Sequence, residues 1–410
     1  MKLWRFAILA FRWPFLPVWA SVVAAGAWAG KRARDPVPAE PPAPPVEEPS
    51  LPAPPAPPAP PPSPDVAATG PLFAQGLPLA ELVLPEGLAN PTAQQCAACH
   101  GEILDAWAAS GHATAWQGER WSQAVRDASE PTACLACHLP LAVQHPRRVV
   151  AMTEGQLDAP RHEPNPAWSP ALQREGVTCA ACHLREGRIV GPRASASAPH
   201  PVVANDALAS PGLCAACHQL TWPGAATPWY DTYGEWYRSA YREAGIRCQD
   251  CHMPSTAGTP TIGRFAGHAS HALALDPARA VSILVELGGA EVVRGEAFTF
   301  KVRVQNTGAG HAFPTGQPGH ALYLTAVVVD AKGQPLHEPL QQVLARTVAD
   351  AAPFALVQDT RIPPRGELSL EKTTTIPQKK PAGPARLRVT IAGDPKGAPL
   401  IERAFPLTVL

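Results

Sequence analysis

Cys96-Ala-Ala-Cys99-His100, Cys134-Leu-Ala-Cys137-His138, Cys179-Ala-Ala-Cys182-His183, Cys214-Ala-Ala-Cys217-His218 and Cys248-Gln-Asp-Cys251-His252 are five copies of one signature between residues 96 and 252. Together they use all 10 cysteines of the chain. C-x-x-C-H is the attachment signature of a c-type haem: two thioethers tether the porphyrin, and the adjacent histidine becomes the proximal ligand of the iron. A zinc site would pair one C-x-x-C with a distant second pair and would need no histidine after each. A disulfide framework could also use ten cysteines in an exported chain, but it gives no reason for the repeated histidine. The sequence therefore predicts five covalently attached haem c groups, held by Cys96, Cys99, Cys134, Cys137, Cys179, Cys182, Cys214, Cys217, Cys248 and Cys251. The proximal iron ligands are His100, His138, His183, His218 and His252.

The signatures begin 34 to 45 residues apart, so each haem has a short helix or two to cover it and the porphyrins must supply much of the core. Ile103, Leu104 and Trp107 mark a helix after the first signature. Tyr233, Trp236, Tyr237, Ala240 and Tyr241 form a helical stripe before the fifth, better suited to packing on haem faces than to radical chemistry. Seven of the 11 tryptophans fall between 107 and 236, where flat indoles suit flat porphyrins. Pro, Gly and Ser clusters predict loops at 158–170 and 191–201.

The other nine of the 14 histidines are candidates for the sixth positions: His112, His145, His162, His200, His268, His271, His311, His320 and His337. Methionine is scarce, with Met152 and Met253 alone after the N-terminal stretch, so bis-histidine ligation is expected at most irons. Asn306-Thr-Gly-Ala-Gly-His311-Ala-Phe-Pro-Thr-Gly316 places two glycines and a proline around one histidine, a tight loop able to aim an imidazole at an iron. His320 and His337 are expected at the surface.

Outside the signatures the chain divides by composition. Residues 1–34 carry Lys2, Arg5 and Arg12 and then an apolar run from 13 to 30, an export signal and a hydrophobic helix. Ala27-Trp28-Ala29 fits a cleavage site, while the run is also just long enough to span a bilayer. Residues 35–69 form a Pro-rich disordered linker, whose 36–64 portion at ~3.1 Å per residue of polyproline II reaches roughly 90 Å. A stalk of that kind favours an uncleaved anchor in the cytoplasmic membrane, with export after signal cleavage as the alternative. Residues 70–278 form the pentahaem domain, mainly α with little regular structure. From 279 to 410 the sequence changes to short runs rich in β-branched residues: Ser282–Glu286, Phe298–Val304, Tyr323–Val329, Leu368–Thr373, Leu387–Ile391 and a last run ending at Leu410. These predict an immunoglobulin-like β-sandwich, giving a mixed fold class overall. Lys and Arg number 34, as do Asp and Glu, which leaves no charged face for nucleic acid.

Three stretches resemble a known family. They are Cys96-x-x-Cys-His-Gly-Glu-Ile-Leu-Asp-Ala-Trp107-x-x-Ser110-Gly-His112-Ala, Glu175-Gly-Val-Thr-Cys-Ala-Ala-Cys-His183 and Gly245-Ile-Arg-Cys-Gln-Asp-Cys-His252-Met-Pro. Over about 90–330 the chain resembles multihaem cytochromes related to cytochrome c-554 and the hydroxylamine oxidoreductase superfamily. The resemblance implies distal-ligand roles for His112, for His200 in Ala198-Pro-His200-Pro-Val, and for His271, which has a rival in His268. The 306–316 loop resembles one found in related cytochromes that carry a sandwich after the haem domain, which implies a ligand role for His311. The fifth distal ligand stays open among His145, His162, His268 or none.

The function expected is extracytoplasmic electron transfer along the haems, with no catalytic residues, between a redox protein or quinol-oxidising membrane complex and an unidentified acceptor. The alternative is a haem enzyme acting on a small nitrogen or sulfur compound at one open iron, as relatives in that superfamily do. None of the five signatures shows the lysine-for-histidine variant of the pentahaem nitrite reductases.

Overall fold

A computed structural model of the chain describes residues 82–117, 132–153, 156–196, 200–222, 224–257, 268–273 and 275–410. The N-terminal apolar segment and the Pro-rich linker lie outside the described residues. Among the described residues no helix is long and apolar enough to cross a membrane.

Between Ala93 and Ala280 the chain forms helices of four to eight residues, several of them started by short polar side chains. Thr92 Oγ1 accepts from Gln95 N ahead of the helix Ala93–Ala97, and Ser210 Oγ accepts from Gly212 N ahead of Pro211–His218, which opens on a proline. Both are ordinary helix starts, because the first amides of a helix have no partner within it. The aromatic stripe at 233–241 is divided between two helices, Thr232–Tyr237 and Ala240–Glu243, since Ser239 leaves the helix and its hydroxyl caps the second one. Around these helices run β1 (Arg147–Thr153), β2 (Gln156–Pro164), β3 (Leu184–Arg185), β4 (Arg188–Gly191), β5 (Val202–Ala204), β6 (Ser255–Thr256) and β7 (His268–Ala269). Pairing of β1 with β2 corrects the loop expected from residue 158: the chain to Pro164 is a bulged antiparallel strand despite its prolines. Prolines are tolerated on such an edge, where their missing amide costs no ladder bond. The described apolar cluster here is small, with Leu141, Ala180, Ala181 and Leu184 as its buried members.

From Val281 onward a β unit follows, made of β8 (Val281–Leu287), β9 (Glu291–Val292), β10 (Ala297–Asn306), β11 (Ala321–Asp330), β12 (Leu340–Val348), β13 (Leu356–Asp359), β14 (Glu367–Thr375), β15 (Gly383–Ala392) and β16 (Pro399–Val409). One sheet has the order β14-β10-β8 and the other β13-β12-β11-β15-β16-β9. In β10 the period of two is plain: Phe300, Val302 and Val304 are fully buried, and Lys301, Arg303 and Gln305 between them are not. Those three pack with Leu324, Val328, Leu344, Leu387, Val389 and Ile391 of the opposite sheet into one core. The core of this β unit is thus apolar and self-sufficient, whereas the signature region has little core of its own among the described residues.

His337 is not a surface residue. It is buried at 9% exposure, its Nε2 accepts from Val328 N at 3.0 Å, and its Nδ1 donates to Glu338 O at 2.7 Å. Its ring lies 5.8 Å from Phe298 and 5.9 Å from Phe300. His337→Ala should cost about 1–3 kcal/mol of unfolding free energy, because the Val328 amide loses its acceptor, while the visible spectrum of any iron centre stays unchanged. Burial also holds its pKa below the ordinary value. The folded state resists that proton, so its stability contribution is complete above about pH 6.5 and is lost as the pH falls; a urea titration against pH checks the sign.

Candidate functional site

Each signature is about one helical turn with its histidine at or just past the end. Thr132–His138, Cys179–His183, Pro211–His218 and Cys248–His252 finish on the histidine, and His100 joins the helix Ala93–Ala97 to Gly101–Ala108. Positions i, i+3 and i+4 of a helix share one face, so both thiols and the imidazole of each signature point the same way. All ten cysteines are free thiols. They also lie close across signatures, Cys96 to Cys179, Cys137 to Cys217, and Cys214 to Cys248.

Four proximal histidines face a second imidazole brought from far along the chain. The ring centroids are 6.3 Å apart for His100 and His200, 6.3 Å for His112 and His218, 6.1 Å for His183 and His271, and 6.2 Å for His252 and His311. With each ring nitrogen ~1.1 Å from its centroid, two ~2 Å metal–nitrogen bonds laid end to end separate the centroids by roughly 6 Å. The spacing therefore leaves room for one iron between each pair. The partnership does not follow sequence order: His112, just after the first signature, faces the fourth, and His200, after the third, faces the first.

The imidazoles are in the state a metal requires. Burial, with the nearby His218, pulls the pKa of His112 down to about 4, and burial beside His183 does the same for His271. Burial lowers His183, His218 and His311 as well. All are neutral near pH 7, as ligands must be. Nδ1 of His138, His183, His271 and His311 lies 2.8, 2.9, 2.9 and 3.0 Å from the carbonyls of Ala115, Val190, Ala269 and Ala312. A carbonyl only accepts, so the proton sits on Nδ1 and Nε2 is the lone-pair nitrogen of each ring, the atom a haem iron would take. Among the described residues no group of three or more His, Cys, Asp or Glu gathers as a bare metal site would. The recurring unit is a pair of thiols with facing imidazoles, and these residues fit a c-type haem, whose ring supplies the other four ligands.

The candidates for the fifth distal position are placed as follows. His145 is buried and turns Nε2 to Leu139 O at 2.6 Å, which occupies the atom a ligand would use. His162 sits on β2 opposite Val149. His268 points to Thr256 Oγ1 at 3.5 Å, and its rival His271 is the ring that meets His183. His320 is exposed, with Nδ1 on Thr315 O.

Two supports of the site were not singled out from sequence. The first is residues 175–178. The Glu175 carboxylate accepts from Ala93 N at the start of the first signature helix and from Thr178 Oγ1, Val177 N donates to His112 O, and Trp107 Nε1 donates to Val177 O. One loop thereby fixes the first signature, His112 and the start of the third. The motif used for the family resemblance contains it, but the sequence does not say what it grips.

The second is the seat of His311. Asn306, fully buried, donates to His311 O and Ile362 O and accepts from Ala309 N. Thr307 and Gly308 donate to Ala280 O, Tyr241 Oη donates to Thr307 O, and a Cβ on Gly308 would run into Arg279 O. Glu235, from the aromatic stripe, accepts from Ala312 N. Beside this seat Trp229 packs edge-on against Phe354, and Arg346 donates to Pro228 O and Trp229 O.

No protein-family model matches the sequence, and no curated protein matches it significantly. Solved structures do. A pentahaem cytochrome c552 from Thermochromatium tepidum aligns over 73% of this chain and 90% of its own, at 22% identity and a TM-score of 0.51. A CARDB domain from Pyrococcus furiosus aligns over 32% of this chain and 87% of its own, at 14% identity and a TM-score of 0.20, which defines no shared fold. The chain therefore has a multihaem-cytochrome-like fold.

Proposed function

We propose that the protein is an electron carrier that binds five c-type haems and passes electrons among them. The observation that carries this is the set of four imidazole pairs at iron spacing, joined by thiol contacts from one signature to another. Signatures one and three touch through Cys96 and Cys179, two and four through Cys137 and Cys217, four and five through Cys214 and Cys248. These proximities group signature one with three, and two with four and five, the fourth being shared. When bound, the haems supply one-electron redox chemistry; the chain spaces, ligates and shields them.

An uncleaved N-terminal anchor and the Pro-rich stalk of the sequence would hold this carrier on the outer face of the cytoplasmic membrane. Its donor would be a quinol-oxidising complex or another redox protein. The Ig-like C-terminal unit would then serve to supply His311.

EPR of the fully oxidised protein, with and without cyanide, tests the proposal. Low-spin ferric centres inert to cyanide are expected at the four sites with facing imidazoles. A high-spin signal that moves when cyanide is added would replace the carrier with a haem enzyme working at an open iron.

A further inference from the structure

Glu235 lies at the centre of a buried ionic cluster for which electron carriage as described has no use. Oε2 accepts from Ala312 N at 3.0 Å and from Thr315 Oγ1 at 2.9 Å, and Oε1 pairs with Arg361 at 2.7 Å. The side chains of Glu235 and Arg361 are each only 8% exposed. Arg361 also forks onto Asp359, through Nε at 2.8 Å and a terminal nitrogen at 2.7 Å. Both Glu235 oxygens accept, one of them from a guanidinium, so the group stands there as an anion. Its two other donors belong to the segment that starts at His311.

A buried ion pair is a poor device for stability, since removing both charges from water offsets much of their attraction. Three facts give this pair another use. It joins a signature-region helix to the loop of a distal imidazole; it grips the residue next to that imidazole; and its two side chains are each only 8% exposed, where a fixed charge acts at low dielectric.

We propose that Glu235 is the positioning residue for His311 and that, balanced by Arg361, it sets the reduction potential of the iron held between His252 and His311. This rests on the haem proposal above. Ferric haem carries one more positive charge than ferrous, so a nearby carboxylate favours the oxidised iron and lowers its potential. The arginine does the reverse.

The test is a spectroscopic redox titration of the haem-loaded full chain, with EPR of the oxidised form. The centre in question is identified as the one whose low-spin signal is lost in His311→Ala. Glu235→Gln keeps an acceptor for Ala312 N and removes the charge: that centre's midpoint should rise by on the order of tenfold in its reduction equilibrium, ~59 mV for one electron, with the other midpoints unmoved. Arg361→Gln should lower the same midpoint, and it carries the test if Glu235→Gln does not fold. Mere loosening of the junction would not move the potential in opposite directions. Thr315→Val removes a hydrogen bond without a charge and should leave the midpoint in place.

Unchanged midpoints in both charge variants, or an equal rise in Thr315→Val, would overturn the assignment. Failure of the underlying proposal would look different: the parent protein itself would lack low-spin bis-imidazole centres, whatever the variants do.

Discussion

His311→Ala should convert one low-spin ferric centre to high-spin and leave the others as they were. The side chain is 6.2 Å from His252 and nearly parallel to it, with Nδ1 engaged by Ala312 O and Nε2 left for the metal. Alanine has no donor atom to offer, and a sequence neighbour cannot substitute, because Ala312 and Phe313 are buried on their own packing. The high-spin fraction should approach one centre in full, visible in EPR and in the absorption bands. Stability should fall too, by about 1–2 kcal/mol for the lost hydrogen bond and packing in the apoprotein. With the proposed haem bound the loss should be larger, since an iron–nitrogen bond would tie the β unit to the fifth signature in the folded state alone. An unchanged spectrum would leave the 306–316 loop as a plain turn, with no purpose for its many anchors.

Those anchors explain how a β unit can aim a histidine with the accuracy a metal needs. β10 ends at Asn306, whose side chain holds two backbone groups of the loop and Ile362 O, and the loop is gripped from outside by Ala280 O, Tyr241 and Glu235. The imidazole is therefore set by rigid neighbours rather than by the loop alone, the general requirement for a pre-organised site.

The signature turns and most of the strands were legible in the sequence because they are local. C-x-x-C-H encodes its own geometry in one helical turn, and the strands β8, β10, β11, β14, β15 and β16 declare themselves by alternation or β-branched runs. Less legible were β12 and β13. Leu340–Val348 interrupts its apolar residues with Gln341, Gln342 and Arg346, since Arg346 is buried by its bonds to Pro228 O and Trp229 O, and β13 is an exposed edge with Leu356 and Val357 uncovered. The pairing of the signature histidines with other imidazoles was not legible at all. His112 meets His218, over a hundred residues on, through a fold whose described apolar cluster is small. His337 was misplaced for a related reason: a lone histidine in a Pro-flanked turn looks solvent-facing until the Val328 amide opposite it is known. Glu235 is the sharpest case, because its partner Arg361 is 126 residues away and nothing nearby marks it as buried.

Gly176→Ala is expected to have an effect almost as large, by another route. Gly176 has φ +59°, and a Cβ there would lie 2.7 Å from His112 O and 3.2 Å from Ala115 N. His112 O is backbone that already accepts from Val177 N, so neither side can yield cheaply. The left-handed conformation alone costs about 1–2 kcal/mol for a non-glycine residue, and forcing the overlap adds about 1–3 kcal/mol. Unfolding free energy should therefore drop by about 2–5 kcal/mol. The displacement should also pull His112 off its position opposite His218, so that centre should become partly high-spin. Gly245→Ala provides the control. Gly245 has φ +71°, yet nothing lies within 4 Å of its would-be Cβ, so it should lose the conformational part alone and keep every centre low-spin. If the two variants lose equal stability and neither changes spin state, close contact between the 175–178 loop and His112 is not what holds that ligand in place.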